Sequence, residues 1–313
     1  MASTNPRIAG PEALDEAAGI LRAGGVVAVP TETVYGLAGR ADSDEAVAAI
    51  FRAKGRPSFN PLIVHVADVA AGEALARFDE RARRLAEAFW PGALTLVLPR
   101  RAEAALAPAV SAGLGTIALR CPAHPLMRAL LEACGFPLAA PSANRSGALS
   151  PTTAAHVAAS LGDAVPLIVD GGACAAGLES TIVALRDDGS WSLLRPGPIE
   201  KSQISELLGA ANEAVASSGT IEAPGQLASH YAPSKPLRLS AGRAEAGEFL
   251  IGFGAVAGDV SLSPDGDLAE AAARLYRCLW EADAAPQDAI AVAPVPHEGI
   301  GAAINDRLKR AAA

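Results

Sequence analysis

Short apolar runs alternate with amphipathic stretches along most of this chain, and glycine, proline or a helix-capping residue marks many junctions. Residues 26–30, 62–66, 94–98, 116–120, 137–140 and 167–169 read as buried strands. Residues 12–23, 42–54, 79–89, 124–134 and 152–161 read as helices. In the first of these Leu14, Ala18 and Leu21 recur at helical spacing before Gly24 and Gly25 end it. Asp42 with Glu45 three residues on predicts a capping box, and Asp79 predicts a cap on the helix it precedes. Strands that alternate with helices imply parallel crossovers. The turn Asp188-Gly189 between the apolar runs 180–185 and 191–194 predicts a hairpin. A mixed α/β sheet with flanking helices follows.

The pattern fades from residue 209 to 236, where small residues and prolines mark a linker. Beyond it, residues 248–252, 268–281, 289–293 and 300–309 read as strand, helix, strand, helix. The predicted organisation is a large domain over 1–209, a linker over 210–236 and a small α/β domain over 237–313. Within the linker, APGQLASHYAP is too specific for a plain spacer.

The net charge of −8 disfavours extended nucleic-acid binding, but a few focused cations can still hold a small anion. The four cysteines, Cys121, Cys134, Cys174 and Cys278, form no CxxC pair and no zinc spacing, as expected of reduced cytosolic thiols. Residues 1–16 lack an apolar signal core and no stretch is long and apolar enough for a bilayer span, so the expectation is a cytoplasmic protein without a membrane partner.

The familiar nucleotide and hydrolase signatures GxxxxGK[ST], HExxH and GxSxG are missing. The glycines of IGFGAVAG (Gly252, Gly254, Gly258) have the wrong spacing for a dinucleotide fingerprint and read as a turn in a small sheet. Six polar segments remain at strand or helix ends: PTETVYGLA (30–38), FRAKGRPSFNPLIVH (51–65), TIALRCP (116–122), LAAPSANRSGALSPT (138–152), GLESTIV (177–183) and LLRPG (193–197). Each alone is readable as an ordinary cap or strand tip. PTETVYGLA in particular reads either as a helix start or as hydroxyls facing a ligand. The rigid cationic loop around Lys54 and Arg56 and the small-residue turn at 141–147 suit phosphate contacts, and an arginine ending a strand, Arg120, suits a carboxylate.

The ordered set PTETVYGL, KGRP, PSAN, LESTIV and LRPG resembles the YrdC-like family. The trailing SHYAP and small C-terminal unit resemble its long, two-domain threonylcarbamoyl-AMP synthase form. That resemblance covers nearly the whole chain. It implies a large YrdC-like twisted mixed-sheet domain and a small Rossmann-like domain. It also implies condensation of L-threonine, bicarbonate and ATP to threonylcarbamoyl-AMP and pyrophosphate, for modification at position 37 of tRNAs reading ANN codons by downstream transferase machinery. The family's KxR and SxN signature falls on Lys54, Arg56, Ser142 and Asn144. Threonine contacts fall on Thr33, His65, Arg120, Ala140 and Ser180. ATP contacts fall on Arg56, Asn60, Thr116, Ser142, Ser150, Arg195 and Tyr231. Mg²⁺ is expected to travel with ATP, held by phosphate oxygens and water rather than a protein cage. Lys54, Arg56 and Arg195 would neutralise the charge that builds on the leaving pyrophosphate. The SHYAP segment, with Tyr231, is expected to fold back as a lid over a labile adenylate. Two other readings stand beside this one: a double-stranded RNA-binding module, and a related carbamoyl-transferring enzyme with another acceptor.

Overall fold

The computed structural model describes residues 6–57, 59–210, 221–226 and 229–313. Ser58 of the cationic loop and part of the linker lie outside the described residues.

A large sheet is built from β1 (Arg7–Ala9), β2 (Val27–Val29), β3 (Gly36–Arg40), β4 (Ile63–His65), β5 (Leu94–Pro99), β6 (Thr116–Arg120), β7 (Leu138–Ala139), β8 (Leu167–Val169), β9 (Thr181–Leu185) and β10 (Trp191–Arg195). Its order is β1-β8-β2-β3-β7-β4-β6-β5-β9-β10. Parallel pairs such as β4 with β6 and β5 with β9 coexist with antiparallel pairs such as β2 with β3 and the β9–β10 hairpin. The sheet is mixed, as the hairpin signal requires.

The helices are α1 (Leu14–Arg22), α2 (Asp44–Lys54), α3 (Val69–Leu75), α4 (Glu80–Phe89), α5 (Pro125–Cys134), α6 (Ala154–Leu161) and α7 (Lys201–Leu208). Ser43 caps α2, its Oγ accepting from the Ala46 N–H at 3.2 Å. This corrects the Asp42–Glu45 capping box: Arg40 donates to both Asp42 carboxylate oxygens and takes that side chain away from the helix end. Asp79 does cap α4, accepting from Ala82 N at 2.9 Å. Such caps are worth ~1 kcal/mol each.

Strand alternation distributes the core. Val27 and Val29 join Leu21 of α1 and Met127 and Leu130 of α5 on one face. Ala28, Val64 and Leu96 join Ile50 of α2, Leu85 of α4 and Val157 of α6 on the other. Towards the middle of the sheet, Ile63, Ala118 and Ile182 point away from Val64 and pack with Ala223 of the linker instead of a helix. That part of the face is where a cleft forms.

A second sheet, β11 (Leu237–Arg238), β12 (Glu248–Gly252), β13 (Val260–Ser261) and β14 (Ala289–Val292), has order β11-β14-β12-β13 and is parallel throughout. It carries α8 (Leu268–Ala284) and α9 (Gly301–Ala311). Gly252 and Gly258 serve the expected turn: a Cβ on Gly252 would sit 2.3 Å from the Val256 carbonyl. The two units share one apolar cluster, in which Val34, Leu149 and Leu178 meet Leu275, Tyr276 and Ile304. Their approach is tight at Gly177, where a Cβ would lie 2.5 Å from Ala273 Cα.

Candidate active site

β4 and β6 run in parallel with His65 opposite Arg120 and Ile63 opposite Ala118. Registered partners share a face, so His65 and Arg120 project together into the cleft. From the β2–β3 loop comes Thr33. Thr31 Oγ1 donates to Val34 O at 2.6 Å and accepts from the Thr33 and Val34 N–H groups, a hydroxyl turn that aims Thr33 inward. Arg120 donates from Nη1 to Thr33 Oγ1 at 2.8 Å, from Nη2 to Glu32 Oε1 at 2.6 Å and from Nε to Gly92 O at 3.1 Å. Burial would raise the Glu32 carboxyl, but Arg120 and the Ala123 N–H hold it below its ordinary value. The result is a fixed guanidinium with N–H groups to spare. PTETVYGLA therefore becomes a loop into strand β3, not a helix start. Its Tyr35 turns away, donating to Gly172 O at 2.8 Å.

α2 ends at Gly55, which takes the left-handed cap conformation (φ 60°). The chain then wraps Arg56, whose Nε and Nη2 donate to the carbonyls of Asn60 and Pro61. From the far strand, Arg195 donates to Ser180 O at 3.0 Å and Ser180 Oγ at 3.1 Å, while Ser180 Oγ shares a 2.7 Å hydrogen bond with Thr95. Among the described residues, neither Arg56 nor Arg195 is within ion-pair distance of a carboxylate. Burial, with Arg195 adding repulsion, brings the Arg56 guanidinium down to about 10, still charged at neutral pH. Burial pushes the His65 imidazole down to about 3, with Arg120 reinforcing, so it is neutral there.

One cavity of about 40 Å³ is lined by Thr33, Arg56, His65, Arg120, Ala140, Ser142, Ser180, Arg195 and Tyr231 of the expected set, together with Glu179 and His230. The remaining expected residues are not among those that line it. Lys54 is buried, and its Nζ donates to Ser142 O and Asn144 O, each at 2.5 Å. Asn144 Nδ2 donates to Arg145 O and Ala148 O, which closes the same turn. Ser150 Oγ donates to Glu179. Thr116 sits at the start of β6, paired with Pro99. Asn60 is fully buried, and its side-chain amide finds no hydrogen-bond partner among the described residues. The polar lining residues to which the motif reading gave no role are Thr31, Glu179 and His230, although each lies within a motif named above: PTETVYGL, LESTIV and SHYAP.

The SHYAP segment lies over the cleft. Ala232 N donates to Gly147 O at 2.8 Å and Ala232 bridges Ala148, which lays the SHYAP segment across the 141–148 turn. Tyr231 takes φ 62° and is 1% exposed. Gly225, at φ 87°, lets the linker press on it: a Cβ there would meet the Tyr231 hydroxyl at 2.6 Å. At about 40 Å³ the space is small beside the roughly 300–1,000 Å³ of small-molecule pockets.

A mixed α/β sheet whose face gathers three buried arginines defines a cleft whose charge suits small anions. The family model Sua5_yciO_yrdC, described as "Telomere recombination", matches residues 19–197, and Sua5_C, "Threonylcarbamoyl-AMP synthase, C-terminal domain", matches residues 199–313. The chain belongs to this Sua5/YciO/YrdC family, in its form with the additional C-terminal domain. It is 42% identical to threonylcarbamoyl-AMP synthase of Bacillus subtilis, over 100% of this chain and 94% of the relative. It is 40% identical to the protein of the same name from Pyrococcus abyssi, over 94% and 92%. The crystal structure of P. abyssi Sua5 complexed with L-threonine superposes with a TM-score of 0.89 at 37% identity, covering 98% of this chain and 97% of that one.

Proposed function

We propose that this chain is an L-threonylcarbamoyladenylate synthase that converts ATP, L-threonine and bicarbonate into threonylcarbamoyl-AMP and pyrophosphate. The observation that carries this reading is the convergence of Arg56, Arg120 and Arg195 on one buried cavity in a chain of net charge −8. Their placement suits two kinds of anion. Arg120, fixed by Glu32 and Thr33, faces the α-carboxylate of threonine, with His65 and the Ala140 backbone beside it. Arg56 and Arg195 face the phosphates, with Asn60 and Ser142 completing the nucleotide contacts. The reaction needs this division. The threonine ammonium first loses a proton. The free amine adds to the bicarbonate carbon, the C–OH bond breaks and the hydroxyl leaves as water with an amine proton. The resulting carbamate oxygen attacks the α-phosphorus. The bond to the β-phosphate breaks and pyrophosphate leaves with the electron pair. Two anions meet and negative charge grows on the leaving group, so fixed cations in a dry cleft lower the barrier.

Lys54 and Asn144 enter this scheme as the frame of the Ser142 turn, and Ser150 and Thr116 as its flanks. Mg²⁺ enters with ATP, bound by phosphate oxygens and water. The carboxylates nearest the cleft suit that arrangement, since Glu32 is engaged by Arg120 and Glu179 by Arg307. SHYAP acts as a lid: it opens for ATP and closes to keep water from the adenylate. We assign the catalytic domain to 1–209, the linker to 210–236 and the small domain to 237–313. The product is handed to downstream machinery that modifies position 37 of tRNA in the cytoplasm. No helix among the described residues is long and apolar enough to cross a membrane.

The test is pyrophosphate release by purified protein with ATP and Mg²⁺, with and without L-threonine. Release that depends on threonine and is abolished in Arg56→Ala supports the reading. Release independent of threonine, or stimulated equally by other amino acids, contradicts it.

A further inference from the structure

Among the described residues, one carboxylate lines the cavity, where each proposed substrate brings an anionic group. Glu179 lines the cavity beside Arg56 and Arg195, 5% exposed. Its Oε1 accepts from Ser150 Oγ at 2.5 Å and from the Tyr276 hydroxyl at 3.0 Å, and its Oε2 from Arg307 Nε at 2.7 Å. Tyr276 lies on α8 and Arg307 on α9, so both come from the small-sheet unit. Arg307 is fully buried and also donates to the carbonyls of Glu179 and Pro196 and to Asp306. The Tyr231 ring lies against its guanidinium, 5.2 Å from centroid to Cζ.

We propose that Arg307 is a positioning residue of the anion site: by neutralising Glu179 from the small-sheet unit, it leaves Arg195 available for the phosphates of ATP. This inference rests on the synthase reading above. The geometry makes the coupling direct. Glu179 precedes Ser180, whose carbonyl and hydroxyl are the acceptors that hold Arg195. The groups that face the Glu179 carboxylate are Arg307 with Asp306 behind it on α9, Tyr276 on α8, Tyr231 and His230 of SHYAP, Arg195 on β10 and Ser150. Burial drives the His230 imidazole to about 3, so at neutral pH the cations in this set are Arg307 and Arg195. Burial would raise the Glu179 carboxyl, yet Arg307 first, then Arg195 and the hydrogen bonds, bring it down to about 2. With Arg307 removed, Arg195 is the remaining cation facing Glu179, and its charge is drawn to that carboxylate instead of to the phosphates of ATP. The small-sheet unit thus sets the charge of the site as well as covering it.

The test uses the full chain and reads ATP affinity by calorimetry for wild type, Arg307→Met and the double variant Glu179→Gln/Arg307→Met. Arg307→Met is expected to weaken ATP binding about tenfold, as one unscreened charge near the phosphates would. The double variant is expected to return to within about threefold of wild type, since it removes the competing carboxylate along with its partner. Relative to the double variant, the affinity of Arg307→Met improves as the pH falls, because without Arg307 burial weighs more heavily on Glu179 and favours its protonated form. If both variants are equally weak, or if Arg307→Met binds as wild type does, the proposal is overturned: the residue then only braces the fold, or does nothing for the site. Should the single variant fail to fold, the double variant still decides, because a bracing role predicts weak binding and charge balance predicts near-normal binding. A wild-type protein that binds ATP and makes no threonylcarbamoyl-AMP would refute the synthase reading, and the affinity series would still judge Arg307.

Discussion

Replacing Lys54 by methionine separates two roles that one side chain can play. The Lys54 ammonium has three protons, and three acceptors surround it: Ser142 O and Asn144 O at 2.5 Å and Asn144 Oδ1 at 3.4 Å. Burial, with Arg56 adding repulsion, works against the charge, lowering its pKa well below the ordinary lysine value. Hydrogen bonds from a charged donor are worth ~1.5–3 kcal/mol each, and a buried acceptor left without a donor costs ~1–3 kcal/mol. Methionine keeps the length and apolar stem but strands the Asn144 carbonyl and leaves Ser142 O only the Asn144 N–H, at 3.0 Å, while it relieves the desolvation of the ammonium. The net loss is about 3 kcal/mol, a sizeable part of a typical stability of ~5–15 kcal/mol. The 142–144 turn should loosen as well, and with it the Ser142 contact in the cleft, lowering kcat/KM about 100-fold, as ~1 Å misplacements do. Urea unfolding followed by tryptophan fluorescence measures the first effect, and steady-state pyrophosphate release the second. Stability within ~1 kcal/mol of wild type together with complete loss of turnover would refute the reasoning. Lys54 would then act on substrate, not on the turn.

Three further outcomes follow from the geometry. Glu32→Gln weakens the grip on Arg120 and should raise the KM for threonine about tenfold while leaving ATP affinity, measured by calorimetry, unchanged. Gly225→Ala puts a methyl group against the Tyr231 hydroxyl at a left-handed φ, which costs ~1–2 kcal/mol of the closed state. Faster amide exchange around Tyr231 and faster hydrolysis of bound product are expected, by exchange mass spectrometry and product decay. Glu179, at about 2 against an ordinary 4.5, has a depressed folded-state pKa. It therefore contributes stability above pH 4.5 that disappears as the pH falls towards 2, about 3 kcal/mol in all. Urea titrations at pH 5 and pH 3 should show about 2 kcal/mol of that loss, and Glu179→Gln should show less of it.

Local patterning carried most of the architecture. The hairpin at Asp188-Gly189, the Asp79 cap and the strands holding His65 and Arg120 are all readable from the chain, because each rests on residues close in sequence. What was not readable rests on partners far away. The strand β3 looked like a possible helix start, since its β2 and β7 partners, not its own residues, decide it. The short α3 and α7 carry too few turns for a clear periodicity. The Asp42 cap failed because Arg40 competes for the carboxylate, a contest that spacing alone does not reveal. In the cleft, the motif reading gathered the three arginines. It did not separate Arg56, Arg120 and Arg195, which line the cavity, from Lys54 and Asn144, which hold the 142–144 turn. Nor did it see Glu179 as part of the site, because its partners Tyr276 and Arg307 lie 97 and 128 residues downstream.

The central claim is that threonine, bicarbonate and ATP become one molecule in this cleft. Mass spectrometry of a reaction with ¹³C-bicarbonate tests it most directly. The account predicts a threonine- and ATP-dependent product with the mass of threonylcarbamoyl-AMP, shifted by one unit by the label. It also predicts that this product is lost in both Arg56→Ala and Arg120→Ala. An adenylate that carries no label, or a labelled product that forms without threonine, would contradict it.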